Sequence, residues 1–166
     1  MSSNGLVAEK EYTEDPNGEP FILSNAESYF TVFVGGDIFG LSVQETQTIF
    51  RITSVTAIPN GPPDIVGLVN LRGKVVTAVS LRQRMRMPEQ NGDKNALAIG
   101  IECKGEHFAL IVDEVGDVIS LSDSMLVPVP QHLDVNRSRY SSRLYRVGDL
   151  LIPVLDTDKL FDFVKS

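Results

Sequence analysis

The side chains that most often bind metal ions or act as nucleophiles are scarce in this chain. Its 166 residues include two histidines and a single cysteine. A structural zinc site takes four Cys or His ligands at short, regular spacings, and His107, His132 and Cys103 do not provide such a set. His107 lies in a strand-like run, where we expect a hydrogen-bonded or surface histidine, and Cys103 ends an apolar run, which is typical of a small buried side chain. The sequence therefore predicts no metal site and no catalytic cysteine.

Two glycine-containing segments are similar to nucleotide-binding loops, but neither has the residue spacing that such a loop requires. Residues 67–74 read GLVNLRGK, with five residues between the glycines instead of four, and Val75 follows where a Ser or Thr would hold magnesium. This segment also joins two strand-like runs, whereas a phosphate loop leads into a helix. Residues 35–40 read GGDIFG, with Asp37 where a dinucleotide fingerprint has its second glycine. We predict no cofactor.

Charged side chains also fail to form a catalytic pattern. Asp113 and Glu114 are adjacent in the sequence, and neighbours in a strand point to opposite faces, so they cannot flank one bond as paired carboxylates. We expect one to cap a turn and the other to be solvated. Arg82 and Arg86 share a face if their segment is helical. They form either a solvated surface or a contact for an acidic protein partner.

Short runs of β-forming residues, separated by turns, occupy most of the chain from Tyr29 onwards, which is the pattern of successive hairpins. The hairpin turns are expected at residues 35–37, 72–74, 104–105 and 148–149. Residues 44–52 are less strand-like, and we expect a short helical turn in part of them. About nine short strands with little helix predict a mainly β fold, a barrel or a pair of barrels.

Composition and charge narrow the class of protein further. There are 15 Lys and Arg against 22 Asp and Glu, a net charge of -7, which argues against a footprint along a nucleic-acid duplex. No apolar run approaches the roughly 18 residues of a membrane span, and the first residues lack the basic and apolar blocks of a signal peptide. These features, with a single cysteine, favour a cytoplasmic protein.

The acidic side chains are concentrated at the start of the chain. Residues 1–27 carry six acids and one base, together with turn residues, and we predict that they form a mobile acidic tail. The folded domain is then expected at residues 28–166. A polar stretch at 89–94 divides it into predicted subdomains of 28–88 and 95–155, followed by a C-terminal helix at 157–165.

Several stretches of the predicted β region together resemble the CheW family of bacterial chemotaxis adaptors. Residues 63–73 read PDIVGLVNLRG and residues 75–82 read VVTAVSLR, similar to the family pattern PxIxGVxNLRG followed by VPVVDLR. LIVDEV at 110–115 is similar to the family's LxVDxV segment, and VLDTDKL at 154–160 to its closing LDxxxL. The first hairpin also resembles that of the family. The resemblance covers about residues 28–164.

The resemblance implies two small five-stranded β-barrels packed on a shared apolar core, with a C-terminal helix. It also implies a non-catalytic protein, without cofactor or metal, that couples the cytoplasmic tip of methyl-accepting chemoreceptors to the regulatory domain of the histidine kinase CheA. Such a protein is cytoplasmic, is recruited to membrane-associated receptor arrays, and neither inserts into the membrane nor binds nucleic acid. The partner-binding candidates that it implies are Val43, Thr46, Gly67, Asn70, Arg72, Gly73, Val112 and Asp113.

Most of these candidates also have a structural interpretation. Val43 and Val112 are expected in the core, with partial exposure toward the cleft as the alternative. Gly67 permits close backbone approach or lines a receptor groove, and Gly73 supplies a positive φ in its turn. Asp113 is expected to cap or brace its turn.

The chain departs from the family pattern at three positions. Ser80 and Thr77 stand where Asp and Pro are usual. Thr48 replaces a glutamate that, by the resemblance, would form an ion pair with the signature arginine, here Arg72. This leaves Arg72 to a partner protein or to another acid such as Glu45.

Two further hypotheses stay open at this point. The chain can be a CheW-like scaffold of another receptor–kinase pathway, such as twitching motility. It can also be a piece of a longer protein, such as the kinase regulatory domain or the adaptor half of a receiver fusion. A stand-alone adaptor is the expectation, since the chain ends two residues beyond Val164.

Overall fold

Two β-sheets account for most of the described part of the chain, which is residues 10–14, 20–88 and 95–163 of a computed structural model. The strands are β1 (Lys10–Glu14), β2 (Pro20–Val34), β3 (Asp37–Ser42), β4 (Thr46–Arg51), β5 (Ile65–Leu71), β6 (Lys74–Ser80), β7 (Leu97–Cys103), β8 (Glu106–Val112), β9 (Glu114–Ser122), β10 (Leu126–Val127), β11 (Ser141–Val147) and β12 (Leu150–Leu155). The helices are α1 (Leu81–Arg84), α2 (Val135–Arg139) and α3 (Thr157–Leu160), with 3₁₀ turns at Val43–Glu45 and Asp123–Met125.

The order of strands in each sheet differs from their order in the chain. The first sheet has seven strands in the order β9-β2-β3-β12-β11-β10, with β1 paired to β2, and the second has five in the order β4-β7-β8-β6-β5. Pairs are antiparallel except for β12 with β3 and β6 with β8, which are parallel. Each sheet takes strands from both sides of residues 89–94, so the sheets do not follow the predicted boundary between subdomains 28–88 and 95–155.

Both sheets are strongly curved. In the first sheet the edge strands β9 and β10 are connected only by Asp123–Met125. Six flat strands would hold these edges about 24 Å apart at roughly 4.8 Å per strand, whereas the connection spans at most about 14 Å. In the second sheet Thr56, which follows the edge strand β4, pairs with Leu68 on the opposite edge strand β5. Curling therefore brings the connected ends of β9 and β10 close together, and in the second sheet it pairs the two edges at Thr56 and Leu68.

The sheets pack face to face on a shared apolar core. Its fully buried side chains come from both sheets and from α3, and include Val32, Phe39, Leu41, Val79, Ile99, Leu110 and Leu160. On the opposite face of the second sheet lie the small side chains of Ala78, Ala98 and Ala109, since successive strand residues point to opposite faces. Small residues leave room for that sheet to curl. The expectation of a mainly β fold with two packed units is confirmed.

The C-terminal helix is present but shorter than the predicted 157–165. Asp156 caps it by accepting hydrogen bonds from the amides of Asp158 and Lys159. The helix ends at Leu160, and Arg84 Nε donates to the Leu160 carbonyl, at 2.8 Å. In a helix that continued to residue 165, that carbonyl would accept from the amide of residue 164 instead. Residues 164–166 lie outside the described residues.

Two other segments differ in part from their expected structure. The short helical turn expected in residues 44–52 is present at Val43–Glu45, but most of the segment forms the strand β4, because ladder pairing with β7 outweighs its weak local pattern. The predicted mobile tail contains β1 and the first part of β2, which pair with each other from Lys10 with Asn25 to Glu14 with Pro20. Residues 1–9 and 15–19 of that tail lie outside the described residues.

The shared core predicts the effect of truncating α3. Leu160 is 0% exposed and Leu150, in β12, is 48% exposed. Leu160→Ala should lower the free energy of unfolding by about 2–5 kcal/mol, because it removes buried methyl groups and leaves a cavity. Leu150→Ala is the matched control and should cost well under half as much. Urea unfolding measures both, and equal losses would contradict the packing of α3.

Candidate functional site

The predicted partner-binding residues do not form one site. Arg72 and Gly73 form the turn that precedes β6, whereas Asp113 lies near the other end of this strand, where Ser80 pairs with Ile111 of β8. The seven residues of β6 span about 20 Å at roughly 3.3 Å per residue. The second sheet therefore carries two separate candidate regions, one at each end.

The first region, called here the hairpin-end surface, consists of Thr46, Thr48, Asn70, Arg72 and Gly73. Arg72 is exposed and has a φ of 54°, and its Nη2 donates to Thr48 Oγ1 at 3.3 Å. Asn70 Oδ1 accepts a hydrogen bond from the Gly73 amide at 2.9 Å, which fixes the turn. Within the described chain Arg72 makes no ion pair, so most of its five donors are open to a partner.

Contact between Thr48 and Arg72 depends on a glycine in the neighbouring strand β7. A Cβ atom at Gly100 would lie 3.0 Å from Thr48 Cγ2 and 3.1 Å from Leu71 Cδ2. The absence of a side chain there lets β4 and β5 approach across the curled sheet. The partner of Arg72 is thus the Thr48 hydroxyl.

Glu45, the acid considered for Arg72, lies elsewhere. Burial is the main cause that raises the pKa of the Glu45 carboxyl, and the negative charges of Asp156 and Asp158 raise it further. This carboxyl therefore faces the start of α3, not the β5–β6 turn.

Thr46 and Val43 lie at the start of β4. Thr46 Oγ1 donates to the Ser42 carbonyl at 3.1 Å, and the Ser42 side chain accepts from the Gln44 amide at 3.2 Å. Both Val43 and Thr46 are half-buried. Val43 is therefore not a core residue and has the partial exposure that was the alternative, since the 3₁₀ turn that carries it buries none of its residues.

Gly67 is buried and allows the second sheet to curl. A Cβ atom at this position would lie 2.4 Å from the Thr56 carbonyl oxygen, and the residue has a φ of 154°. Thr56 and Leu68 exchange two backbone hydrogen bonds, at 2.9 and 2.8 Å. Close backbone approach, one of the two roles expected for Gly67, is confirmed. The exposed side chains of Val55 and Val66, which lie next to Gly67, form an apolar patch on the surface.

The second region, called here the Asp113 brace, consists of Gly35, Arg82 and Asp113. Arg82 binds the carboxylate with both arms of its guanidinium, Nε to Oδ1 at 3.0 Å and Nη2 to Oδ2 at 2.7 Å. The Gly35 amide donates to the same Oδ2 at 2.9 Å. Asp113 therefore joins the β2–β3 turn to α1, as expected of a bracing residue. Val112 is buried in the shared core, which confirms its structural interpretation.

The brace keeps Asp113 in its charged form. Burial by itself would raise the pKa of the carboxyl, but hydrogen bonds from Arg82 and Gly35 and the positive charge of Arg82 outweigh it. The pKa of Asp113 is therefore lower than its ordinary value.

Arg84 is the charged residue whose role the sequence did not reveal. It lies between Arg82 and Arg86 in the sequence but is buried, with hydrogen bonds to Asp64, to Tyr140 Oη and to the carbonyls of Leu160 and Asp162. The sequence did contain one indication of this role. On a helical turn, residue 84 points away from the face that residues 82 and 86 share, so its side chain has different surroundings from theirs.

A cluster of side chains that could bind a metal ion is not found in residues 26–88 and 95–163. No three His, Cys, Asp or Glu side chains there are arranged to hold a metal ion. Burial and the neighbouring Asp158 raise the pKa of the Cys103 thiol, which opposes thiolate formation. Over the described residues, no helix combines the length and apolar character that crossing a membrane requires.

Comparison with known proteins gives consistent matches along the chain. Residues 28–165 match the family model described as a CheW-like domain. The chain is 27% identical over 156 residues to the chemotaxis protein CheW of Klebsiella aerogenes, covering 94% of this chain and 89% of that protein. It is 25% identical over 140 residues to the chemotaxis protein CheW of Bacillus subtilis, covering 84% and 90%.

The fold is also found among solved structures. The scaffolding protein TtCheW of Thermoanaerobacter tengcongensis superposes with a TM-score of 0.72 at 25% identity, over 82% of this chain and 92% of that one. The likeness therefore extends over most of both chains.

The contact at Gly67 predicts a stability difference between two glycine substitutions. Gly73→Ala meets no atom within 4 Å and carries only the strain of its φ of 84°, about 1–2 kcal/mol. Gly67→Ala should cost about 1–3 kcal/mol more, because the added methyl group overpacks against the Thr56 carbonyl. Urea denaturation of both variants measures the difference, and equal destabilisation would contradict the close approach.

The lowered pKa of Asp113 predicts how stability depends on pH. A carboxyl whose pKa is lower in the folded chain contributes stability above its unfolded pKa and loses it as the pH falls through the folded value. The stability difference between the wild type and Asp113→Asn should therefore be full above about pH 5 and should shrink in acid. Denaturant unfolding from pH 7 to pH 2 measures it. Asp149→Asn, in the exposed β11–β12 turn, is the control, and identical profiles for the two variants would contradict the brace.

Proposed function

The chain belongs to the CheW-like domain family, and from this premise we propose that it is a non-catalytic chemotaxis adaptor that couples chemoreceptors to the histidine kinase CheA. The observation that carries the proposal is the match of residues 28–165, nearly the whole described chain, to that family. The likeness to a scaffolding protein of the same family supports it.

The proposed partners are the cytoplasmic tip of methyl-accepting chemoreceptors and the regulatory domain of CheA. The adaptor would act in the cytoplasm, at receptor arrays on the membrane. An adaptor needs two contact surfaces, and the two ends of the second sheet provide regions about 20 Å apart. Partner-binding roles are proposed for the candidates that are at least partly exposed, which are Val43, Thr46, Asn70, Arg72, Gly73 and Asp113.

The hairpin-end surface has the composition of a transient protein interface. Val75, 67% exposed, lies directly across from Asn70 in the β5–β6 hairpin, and Val66 lies on the same face. Arg72 is at the edge of this apolar area. Apolar contacts surrounded by polar groups, with arginine enriched, are typical of such interfaces.

The bond from Arg72 to Thr48 keeps the arginine available. A hydrogen bond to a hydroxyl is weaker than one to a carboxylate, so a partner's acid can replace it at small cost. A guanidinium also presents a rigid fork of donors that fits a carboxylate. We propose that Arg72 contacts an acidic side chain of the kinase or of the receptor.

This proposal predicts the effect of reversing the charge at residue 72. Arg72→Glu should weaken binding to at least one of the two partners about tenfold or more, as the loss of a charge-assisted hydrogen bond does. The fold should persist because Arg72 is exposed and, among the described residues, its side chain hydrogen-bonds only to the Thr48 hydroxyl. Titration calorimetry against the kinase regulatory domain and against a receptor-tip fragment measures the affinities.

The matched control is Lys74→Glu, a charge reversal at an exposed residue of the same hairpin. It should weaken binding much less than Arg72→Glu. Equal weakening by the two variants would show that Arg72 contributes only through net charge. Unfolding of Arg72→Glu would show that the residue is structural. Absence of binding to both partners by the folded wild type would overturn the proposed coupling.

A further inference from the structure

A cleft lies beside the Asp113 brace, at the end of the second sheet opposite Arg72. Its volume is about 740 Å³, within the range of ligand-binding clefts. It is formed by the β2–β3 turn, the end of α1 and the beginning of α2, and its lining includes Gly36, Asp37, Met85, Arg86, Met87 and Arg137.

Most of the charged groups around this cleft are already engaged. Arg82 and Asp113 bind each other in the brace. Asp134 caps α2 by accepting hydrogen bonds from the amides of Asn136 and Arg137, at 2.8 and 3.3 Å. Across the described residues, the guanidinium groups of Arg86 and Arg137 have neither a hydrogen-bond acceptor nor an ion-pair partner.

Arg137 has an unmet requirement for an acceptor. Its Nε atom is buried and has no hydrogen-bond partner in residues 26–88 and 95–163, and a buried donor without an acceptor is unfavourable. Its guanidinium carbon lies 5.7 Å from the centroid of the Phe39 ring, which holds the group against the first sheet. The Nη atoms of Arg137 are not among the buried unpaired atoms, so they are the donors that a ligand oxygen in the cleft would reach.

Arg86 is the second arginine at the cleft. Its φ of 60° ends α1 in the left-handed conformation, with the Met87 amide donating to the Arg82 carbonyl at 2.8 Å. This helix end places an exposed arginine at the rim of the cleft.

We propose that this cleft binds a carboxylate group presented by a glutamate or aspartate side chain of a partner chain, with Arg86 and Arg137 as its ligands. Guanidinium groups bind carboxylates through paired, charge-assisted hydrogen bonds. Asp37, which lines the same cleft, opposes this binding and weakens it. The site is independent of Arg72, so it is a second contact surface whatever the role of the hairpin-end surface.

The test uses the full chain, labelled with ¹⁵N, and the peptide acetyl-Gly-Glu-Glu-Gly-amide as the probe. Titration should produce saturable shifts of the Arg86 and Arg137 Nε–H signals and of the Gly36 amide. The peptide with glutamine in place of glutamate should bind at least about tenfold more weakly, since it lacks the charge.

Substitutions sharpen the test. Arg86→Gln and Arg137→Gln should each weaken binding of the glutamate peptide about tenfold, and Asp37→Asn should strengthen it. Arg139→Gln is the matched control, because Arg139 is exposed on the same helix as Arg137 and does not line the cleft. Arg86 is exposed, so its variant remains informative if Arg137→Gln fails to fold.

Three outcomes would overturn the proposal. The first is the absence of saturable shifts at Arg86 and Arg137 with millimolar peptide. The second is a set of shifts confined to Arg72 and Lys74, which would place the carboxylate at the other end of the sheet. The third is equally tight binding of free glutarate, which would exclude recognition of a partner chain.

Discussion

The buried guanidinium of Arg84 is the interaction on which the arrangement of the chain's connections depends. A buried charge is strongly unfavourable unless its donors are all engaged, and Arg84, 8% exposed, is engaged by the Asp64 carboxylate, the Tyr140 hydroxyl and two carbonyls at the end of α3. The ring of Phe163 covers it at 4.1 Å. These groups belong to connections of both sheets, so one side chain fixes α1, the segment before β11 and the C-terminal helix together.

Three arginines within five residues therefore serve three different purposes. Arg84 is structural, Arg82 completes the brace that joins Asp113 to the β2–β3 turn, and Arg86 is exposed beside the cleft. The rigid positions of the first two determine where the third is presented. Arg72, at the far end of the same sheet, is separated from all of them by the length of β6. This separation suits a protein that joins two partners.

Much of the fold could be predicted because its signals are local. Alternating β-forming residues and turn glycines identify hairpins such as that around Gly35 and Gly36, whose positive φ angles need only the residues themselves. β4 was missed since Thr46–Arg51 has a weak pattern and is stabilised by pairing with β7. The extent of α3 was missed because the carbonyl at its end is bound by a side chain 76 positions away in the sequence.

The sequence alone determined the mainly β class, the hairpins, the lack of a catalytic pattern and the resemblance to an adaptor family. Each of these depends on residue types and short spacings. Only the tertiary structure decided that Thr48 is the partner of Arg72, that Gly67 lies against Thr56, and that the candidate residues fall at two ends of one sheet. These contacts join strands distant in the chain, and they follow from the order and curvature of the sheets, which no local pattern specifies.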